Sequence, residues 1–522
     1  MSAWKFYLVT FGCKVNQYET QSLREAWLAQ GGVECNAPAL ADVVCVNSCA
    51  ITSKGERDAR NAVFRLRREA PTARLILTGC AARLFADYKP RPGAIWAAPD
   101  LLVPQEEKSR LLNGPWADLD GDLDADNAEQ TPAEALLTTK AAQTVAQAGA
   151  PTLASAAAQA AFPPFQISAF KRARPVLKVQ DGCAHRCTYC IVPSTRGKPR
   201  SRPVDEIVSE ARRLLQAGHT EIMVSGINLG QYGRGADTGD FWSLLRTLDA
   251  ALAPEFAGQA RLRISSLEPG QLDQEGLDAL MACRMLCPHL HISLQHGSQA
   301  VLKRMGRGHY TPAMLEHALS ALSSHWPVMG LGADIIAGFP GETEDDMRQL
   351  LELIERLPLS YAHVFPYSRR PGTAADRFDG QIAHSLKLER AAHLREAVAR
   401  KQQGFLADQL KLPRMLVAAD NPQVFAEPAP AEAAAQAGLA GAAAAKNTLA
   451  GATPANVTGV PASEAAAKPK KNTIKGVNEY YAACAIRLPA HGKRPGADAG
   501  LLPVRPVALT EKALVVELIE SE

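Results

Sequence analysis

The sequence predicts an α/β protein in three folded parts: an N-terminal parallel α/β domain, a central partial (β/α)6 barrel and a small C-terminal β-barrel. Three observations predict it. Short apolar strands alternate with helical segments over residues 1–112, six further strand–helix units run through 166–411, and separate strand signals return over 412–522. Strands joined through helices imply a parallel sheet, and six such units in succession suggest a barrel or part of one.

In the first part, Phe6–Thr10, Val43–Val46 and Leu75–Thr78 are apolar runs of strand length. Between them, 17–30 carries a helical pattern ended by Gly31-Gly32, and 53–69 is a polar, Arg-rich helix stopped near Pro71. Residues 113–165 break the pattern with an acidic stretch followed by Ala, Thr, Gln and Pro, and are expected to form a low-complexity linker. The barrel strands are expected at Val176–Val179, Glu221–Ser225, Leu262–Ser265, Leu290–Leu294, Ala333–Ala337 and Tyr361–Phe365, with helices such as 204–217, 311–324 and 343–356 between them. In the C-terminal part, strand signals at 412–420, 480–487 and 513–519 flank a second low-complexity insertion at 422–471.

Composition narrows the function. The chain has 522 residues, 47% of them hydrophobic and 21% charged, with a net charge of +3, so a nucleic-acid role must rest on local basic clusters. No apolar run is long enough to span a membrane, and the N-terminus lacks the pattern of a secretory signal, so a cytoplasmic location is expected. There the 11 cysteines serve metal binding or catalysis better than a disulfide framework.

The strongest feature is Cys183-Ala-His-Arg-Cys187-Thr-Tyr-Cys190, just past the first barrel strand. A loop this short lets three thiolates converge on one metal centre. Four thiolates are the usual complement of a [4Fe–4S] cluster, and three leave one iron open for a substrate, as in catalytic metal sites. The alternative is zinc with His185 as fourth ligand, which is cramped because His185 sits between two of the cysteines. A second set is dispersed: Cys13, Cys49 and Cys80 each follow an expected strand, directly after a Gly or Ser. In a parallel sheet all three strand ends lie at one edge, so these three thiolates converge as well. Gly226 and Gly338 lie at the ends of barrel strands, where close backbone approach to a cofactor is expected, and Glu268 ends another. Two basic clusters, Lys171, Arg172 and Arg174, and Arg196, Lys198, Arg200 and Arg202, flank the cysteine loop and are candidates for phosphate contacts. Tyr480 and Tyr481 are candidates for stacking on splayed RNA bases.

These residues resemble the radical S-adenosylmethionine (SAM) methylthiotransferase family. The stretches that carry the resemblance are Phe11-Gly-Cys-Lys-Val-Asn-Gln-Tyr-Glu-Thr20, Val46-Asn-Ser-Cys-Ala-Ile-Thr52, Thr78-Gly-Cys80, the Cys183 loop, Pro193-Ser-Thr-Arg-Gly197, Pro288-His-Leu-His-Ile-Ser-Leu-Gln295 and His363-Val-Phe-Pro-Tyr-Ser-Arg-Arg-Pro-Gly-Thr373. The resemblance implies a radical-SAM barrel and a C-terminal RNA-binding β-barrel of the TRAM type. It also implies two [4Fe–4S] clusters, held by Cys183, Cys187 and Cys190 and by Cys13, Cys49 and Cys80, with Tyr189 packed near the adenine of SAM. The form of residues 13–20 is most like the subgroup acting on N6-threonylcarbamoyladenosine at position 37 of tRNA. The implied partners are a tRNA anticodon loop and an electron donor of flavodoxin or ferredoxin type. His296 departs from the family, which usually has a serine there. Competing readings are the same chemistry on isopentenyladenosine or on a ribosomal-protein aspartate, and a non-catalytic iron–sulfur RNA-binding protein.

Overall fold

The computed structural model describes residues 4–86, 98–116, 162–235, 238–420, 473–488 and 500–519. The expected insertion at 422–471 and most of the expected linker lie outside these residues. Phe165, at the end of that linker, is already buried in the core, and its carbonyl accepts a hydrogen bond from the Tyr18 hydroxyl at 2.7 Å.

The N-terminal sheet has five parallel strands rather than the three the sequence suggests. They are β1 (Lys5–Thr10), β2 (Val33–Glu34), β3 (Val43–Ser48), β4 (Arg74–Gly79) and β5 (Leu101–Val103), in the order β2-β1-β3-β4-β5. The two missed strands, of two and three residues, are too short to leave a hydrophobic signature. Helix α1 (Lys14–Ala29) begins earlier than its apolar pattern indicates, with Cys13 at its N-cap. Helix α2 (Ser53–Glu69) is capped by the Thr52 hydroxyl, which accepts from the Gly55 amide.

The central part follows the order read from sequence. Its strands are β6 (Val176–Lys178), β7 (Gln180–Asp181), β8 (Arg200–Ser201), β9 (Glu221–Ser225), β10 (Arg261–Ile264), β11 (Ser266–Leu267), β12 (His289–Gln295), β13 (Gly330–Ala337) and β14 (Tyr361–Pro366). Strands β10-β9-β6 form one parallel sheet and β11-β12-β13-β14 another. The break falls at Ser265, where β10 gives way to β11, so a single chain segment belongs to both sheets. The wall is therefore an open six-membered parallel arc. Leu290, Ile292 and Leu294 of β12 are buried in the main core, while His289, His291 and Ser293 alternate toward the lumen.

The C-terminal part is a closed barrel of β15 (Met415–Ala419), β16 (Thr473–Asn478), β17 (Ala483–Arg487), β18 (Leu502–Leu509) and β19 (Leu514–Leu518), in the order β15-β16-β17-β19-β18. It has its own core around Val417, Ile486, Val504 and Val516. Two arginines fasten it beneath the central arc. Arg261 donates to the carbonyls of Leu416 and Val477, and Arg263 to those of Asn478 and Glu479, at 2.8–3.1 Å. Both are gripped by the buried Glu221 carboxylate.

The N-terminal sheet joins the arc through a knot of buried charge. Glu19 of α1 is fully buried and accepts from Lys108 Nζ at 2.6 Å, Lys178 Nζ at 2.7 Å and Arg196 Nη1 at 3.0 Å. Asp181 completes it, accepting from Lys178 at 2.7 Å and Arg196 at 2.9 Å. Burial alone would raise the Glu19 carboxyl, but Arg196, Lys108 and Lys178 together hold it well below the usual carboxylate range. Removing one partner from such a group leaves uncompensated buried charge, costing about 3–5 kcal/mol. Glu19→Gln is expected to destabilise the chain by that order, read from the urea midpoint. The pH dependence has a definite sign. A carboxyl held low in the folded chain contributes fully above its unfolded value of about 4.3 and loses that contribution as pH falls further. The wild-type midpoint should therefore drop on acidification below that value, and the Glu19→Gln midpoint should drop less.

Candidate active site

The N-terminal cysteines are brought together by strand register. Thr10 pairs with Asn47, Asn47 with Thr78, and Ser48 with Gly79, so the three strands end level. The Phe11 amide then donates to Asn47 O, and the Cys80 amide to Ser48 O. Gly12 and Gly79 turn the chain there with φ of +92° and +98°, a region open to glycine. A Cβ on Gly12 would stand 2.5 Å from Cys49 Sγ, which places the residue before Cys13 directly against the second cysteine. Asn16 staples the edge: its side-chain amide donates to Phe11 O and Ser48 O at 2.9 Å, and its Oδ1 accepts from Arg196 at 2.7 Å. Cys13, Cys49 and Cys80 feel one another electrostatically, and burial pushes the Cys49 thiol up to about 12.

The second triad lies in the loop between β7 and the short helix Val192–Arg196. Cys190 interacts electrostatically with Cys187 and Cys183, and burial pushes its thiol up to about 12. Amides surround Cys183: the His185 backbone N–H at 3.4 Å, Gln231 Nε2 at 3.5 Å and Asn228 Nδ2 at 3.9 Å. Glu268 stands over this loop, accepting from Asn228 at 2.9 Å and Arg307 at 2.6 Å. His185 turns its Nδ1 to Glu268 at 3.1 Å, and His309 Nε2 lies 3.1 Å from the same carboxylate. Among the described residues, His185, Glu268 and His309 are the group whose donor atoms all fall within 4.8 Å of one another. The Arg307 guanidinium on Glu268 already supplies that carboxylate with a cation. Neither cysteine triad closes to that distance. Three thiols gathered in each place are the kind of donor an iron–sulfur cluster takes. Either set of three sulfurs could hold a cluster with one iron left open.

Several sequence expectations find different places. Arg196 and Arg202 do not reach a phosphate. Arg196 is interior, with its Nε 3.1 Å from Cys80 Sγ, and Arg202 is fully buried against Glu210 and the Tyr18 hydroxyl. Arg196 is drawn inside by Glu19, 177 residues away, as well as by Asp181, and Arg202 by Glu210 on the following helix together with the distant Tyr18 hydroxyl. Arg200 is half-buried toward Asp181, and Arg174 lies over the Tyr481 ring. Lys171 is exposed and paired with Glu34, while Arg172 and Lys198 stand exposed. Tyr481, at φ +67°, is wedged between His289 and Tyr361 rather than offered to solvent, and Tyr480 is half-buried beside Gly330. Gly226 makes room for Gln180, and Gly338 for Lys387, so both close approaches are to protein. Tyr189 packs near Phe339 beside the cysteine loop, in a cluster with Val301, Met305 and Tyr367. His296 is buried with Nε2 3.4 Å from Glu342 and Nδ1 accepting from the Ser298 amide. Lys14, Asp334 and the lumen histidines escaped the sequence reading, since no spacing rule singles out residues from four separate segments.

An open parallel barrel with a three-cysteine loop after its first strand is the architecture of radical SAM enzymes, and the Radical SAM superfamily model matches residues 177–354. The model of the uncharacterized protein family UPF0004 matches residues 5–88. The threonylcarbamoyladenosine tRNA methylthiotransferase MtaB of Bacillus subtilis is 33% identical over 387 residues, 74% of this chain and 78% of that protein. Its Thermotoga maritima counterpart is 34% identical over 388 residues, 74% and 80% of the two chains. The tRNA-2-methylthio-N(6)-dimethylallyladenosine synthase of Bartonella tribocorum is 31% identical, covering 78% and 84%. Among solved structures, the radical SAM methyltransferase TsrM of Kitasatospora setae has a TM-score of 0.48 at 15% identity, covering 72% of this chain and 74% of that one. The chain belongs to the methylthiotransferase family of radical SAM enzymes, whose cofactors are SAM and a [4Fe–4S] cluster. No described helix is long and apolar enough to cross a membrane.

Cys187→Ala removes the middle donor of the barrel triad. It is expected to cut 5′-deoxyadenosine formation from SAM to background in reduced protein, measured by chromatography of the quenched reaction.

Proposed function

We propose that this chain places a methylthio group on C2 of N6-threonylcarbamoyladenosine at position 37 of tRNA. Cys183, Cys187 and Cys190 hold the cluster that binds SAM, and Cys13, Cys49 and Cys80 hold a second cluster that carries the sulfur. One observation carries the reading. The helix that follows Cys190 ends in Arg196, whose guanidinium touches Cys80, and Ile191 packs in the same apolar cluster as Cys80. A single short helix thus links the barrel cysteine loop to the N-terminal triad, which supports one base meeting both.

The adenine C2 hydrogen is not acidic, so replacing it with sulfur needs radical chemistry, which a cofactor must supply. When bound, a reduced iron–sulfur cluster held by Cys183, Cys187 and Cys190 would supply the electron for reductive cleavage of SAM. The protein's part is placement. Asn228, Gln231 and the His185 amide surround Cys183 with N–H donors, of the kind that tune an iron–sulfur centre. Glu268, held by Arg307 and Asn228, offers a fixed carboxylate beside the loop for a polar group of SAM. Three buried cations, Lys108, Lys178 and Arg196, face two buried carboxylates, leaving one positive charge in excess beside Cys80, where thiolate ligands concentrate negative charge. Exposed Arg172 and Lys198 are the remaining candidates for tRNA phosphates. A flavodoxin- or ferredoxin-type protein is the expected electron donor.

The test is nucleoside analysis by mass spectrometry of tRNA from a strain lacking its own enzyme and supplied with this chain. The 2-methylthio derivative of threonylcarbamoyladenosine is the expected product. A methylthio group on dimethylallyladenosine, or on a ribosomal-protein aspartate, would overturn the substrate assignment. Cys49→Ala is expected to abolish the methylthiolated nucleoside while 5′-deoxyadenosine still forms. Thiolated product from that variant would remove Cys49 from the sulfur-carrying centre.

A further inference from the structure

Among the described residues, one half-buried cation beside the N-terminal cysteines has no hydrogen-bond or ion-pair partner. Lys14, the first residue of α1 and the neighbour of Cys13, is half-buried and makes no hydrogen bond or ion pair with any described residue. The charges it feels are Asp334 of β13, then Arg174 and Arg263. His289 and His363 feel it in turn. Lys14 therefore faces the lumen of the arc, among the side chains that β10, β12, β13 and β14 turn inward.

Of the other charged groups there, Arg174 lies over the Tyr481 ring with its Nη1 lacking a hydrogen bond, while Arg263 and Asp334 are engaged. Arg263 is bound by Glu221 and by two carbonyls of the C-terminal barrel. Asp334 lies 3.1 Å from His291 Nε2. The Tyr361 hydroxyl sits between His289 Nε2 at 3.0 Å and His291 Nδ1 at 2.9 Å. Gly332 makes this bridge possible, since a Cβ there would collide with the Tyr361 ring and stand 2.6 Å from His291 Nδ1. The lumen is thus lined by polar side chains, with the half-buried Lys14 ammonium free of direct partners next to a cysteine of the sulfur-carrying triad.

We infer that Lys14 binds the carboxylate of the threonylcarbamoyl group. The inference rests on the substrate proposed above and specifies how the same site reads it. On adenine, N6 and C2 lie on either side of N1, so a substituent on N6 falls close to whatever reacts at C2. A base presented to the Cys13, Cys49 and Cys80 centre carries that substituent to the same edge, where Lys14 stands. The threonyl carboxylate is the substituent's one negative charge, and a half-buried ammonium without a partner is its complement.

The experiment measures binding of anticodon stem-loops to the full chain carrying its clusters, under anaerobic conditions and at one salt concentration. Three loops are compared: unmodified adenosine, threonylcarbamoyladenosine, and its carboxyl methyl ester. Wild-type protein is expected to prefer the acid over the ester by about tenfold or more, the scale of a charge-assisted hydrogen bond. Lys14→Met and the polar variant Lys14→Gln are expected to bind acid and ester alike, and Lys14→Arg to keep most of the preference. The acid-to-ester ratio within one protein cancels any general loss of affinity in a variant. An undiminished preference in both Lys14→Met and Lys14→Gln would overturn the role of Lys14 and leave the substrate standing. So would wild-type protein that prefers both modified loops to adenosine but treats acid and ester alike. Wild-type protein that binds all three loops equally would overturn the inference and the substrate reading together.

Discussion

The buried Glu19 carboxylate is the constraint on which the rest of the structure depends. It lies inside α1 and is reached by Lys108 from the N-terminal domain and by Lys178 and Arg196 from the central arc. Isolated buried ions are costly, so none of these side chains tolerates the separation of the two domains. Arg196 does more than pair. Its planar guanidinium spends one edge on Glu19 and Asp181, another on Asn16, and its Nε on Cys80. A lysine has neither the fixed fork nor the number of donors for such a task. The same knot therefore ties the domains together and fixes the distance between the two cysteine triads.

The triads themselves are products of topology. A parallel sheet with right-handed crossovers ends its strands on one side, and the loops at that side meet. In the N-terminal domain three strands end level in register, and the residue after each Gly or Ser turn is a cysteine. In the central arc a single loop supplies all three. One site is assembled from distant segments and the other from eight consecutive residues, yet both end as three cysteine thiols gathered in one place.

The C-terminal barrel is held from below by a comparable device. Glu221 orients Arg261 and Arg263, which donate to four backbone carbonyls of the small barrel. Tyr481 follows those carbonyls and enters the floor of the lumen, over Arg263 and against His289. The small barrel thus lends the Tyr481 ring to one side of the lumen. Its contribution to the site is a wall, whatever its surface offers to RNA.

The sequence by itself determined the architecture and the six cysteines. Apolar runs of strand length and helices of three to four turns repeat regularly, and such local patterns are read without knowledge of neighbours. The Cys183 loop is legible for the same reason, and the dispersed triad becomes legible once its strands are known to be parallel. Elements of two or three residues, such as β2 and β5, were not, because their stability comes from the sheet they join. Only the tertiary structure decided which charges are inside. Arg196 and Arg202 look like surface arginines next to Lys198 and Arg200, and Lys14 looks like any helix-start lysine. Glu19, 177 residues from Arg196, and the Tyr18 hydroxyl, 184 from Arg202, join nearer acids in taking these charges inside, and no local pattern encodes which contacts form. The neutralised arginines and the unpaired lysine are alike in sequence and opposite in consequence, because packing supplied partners to the first and a chamber to the second.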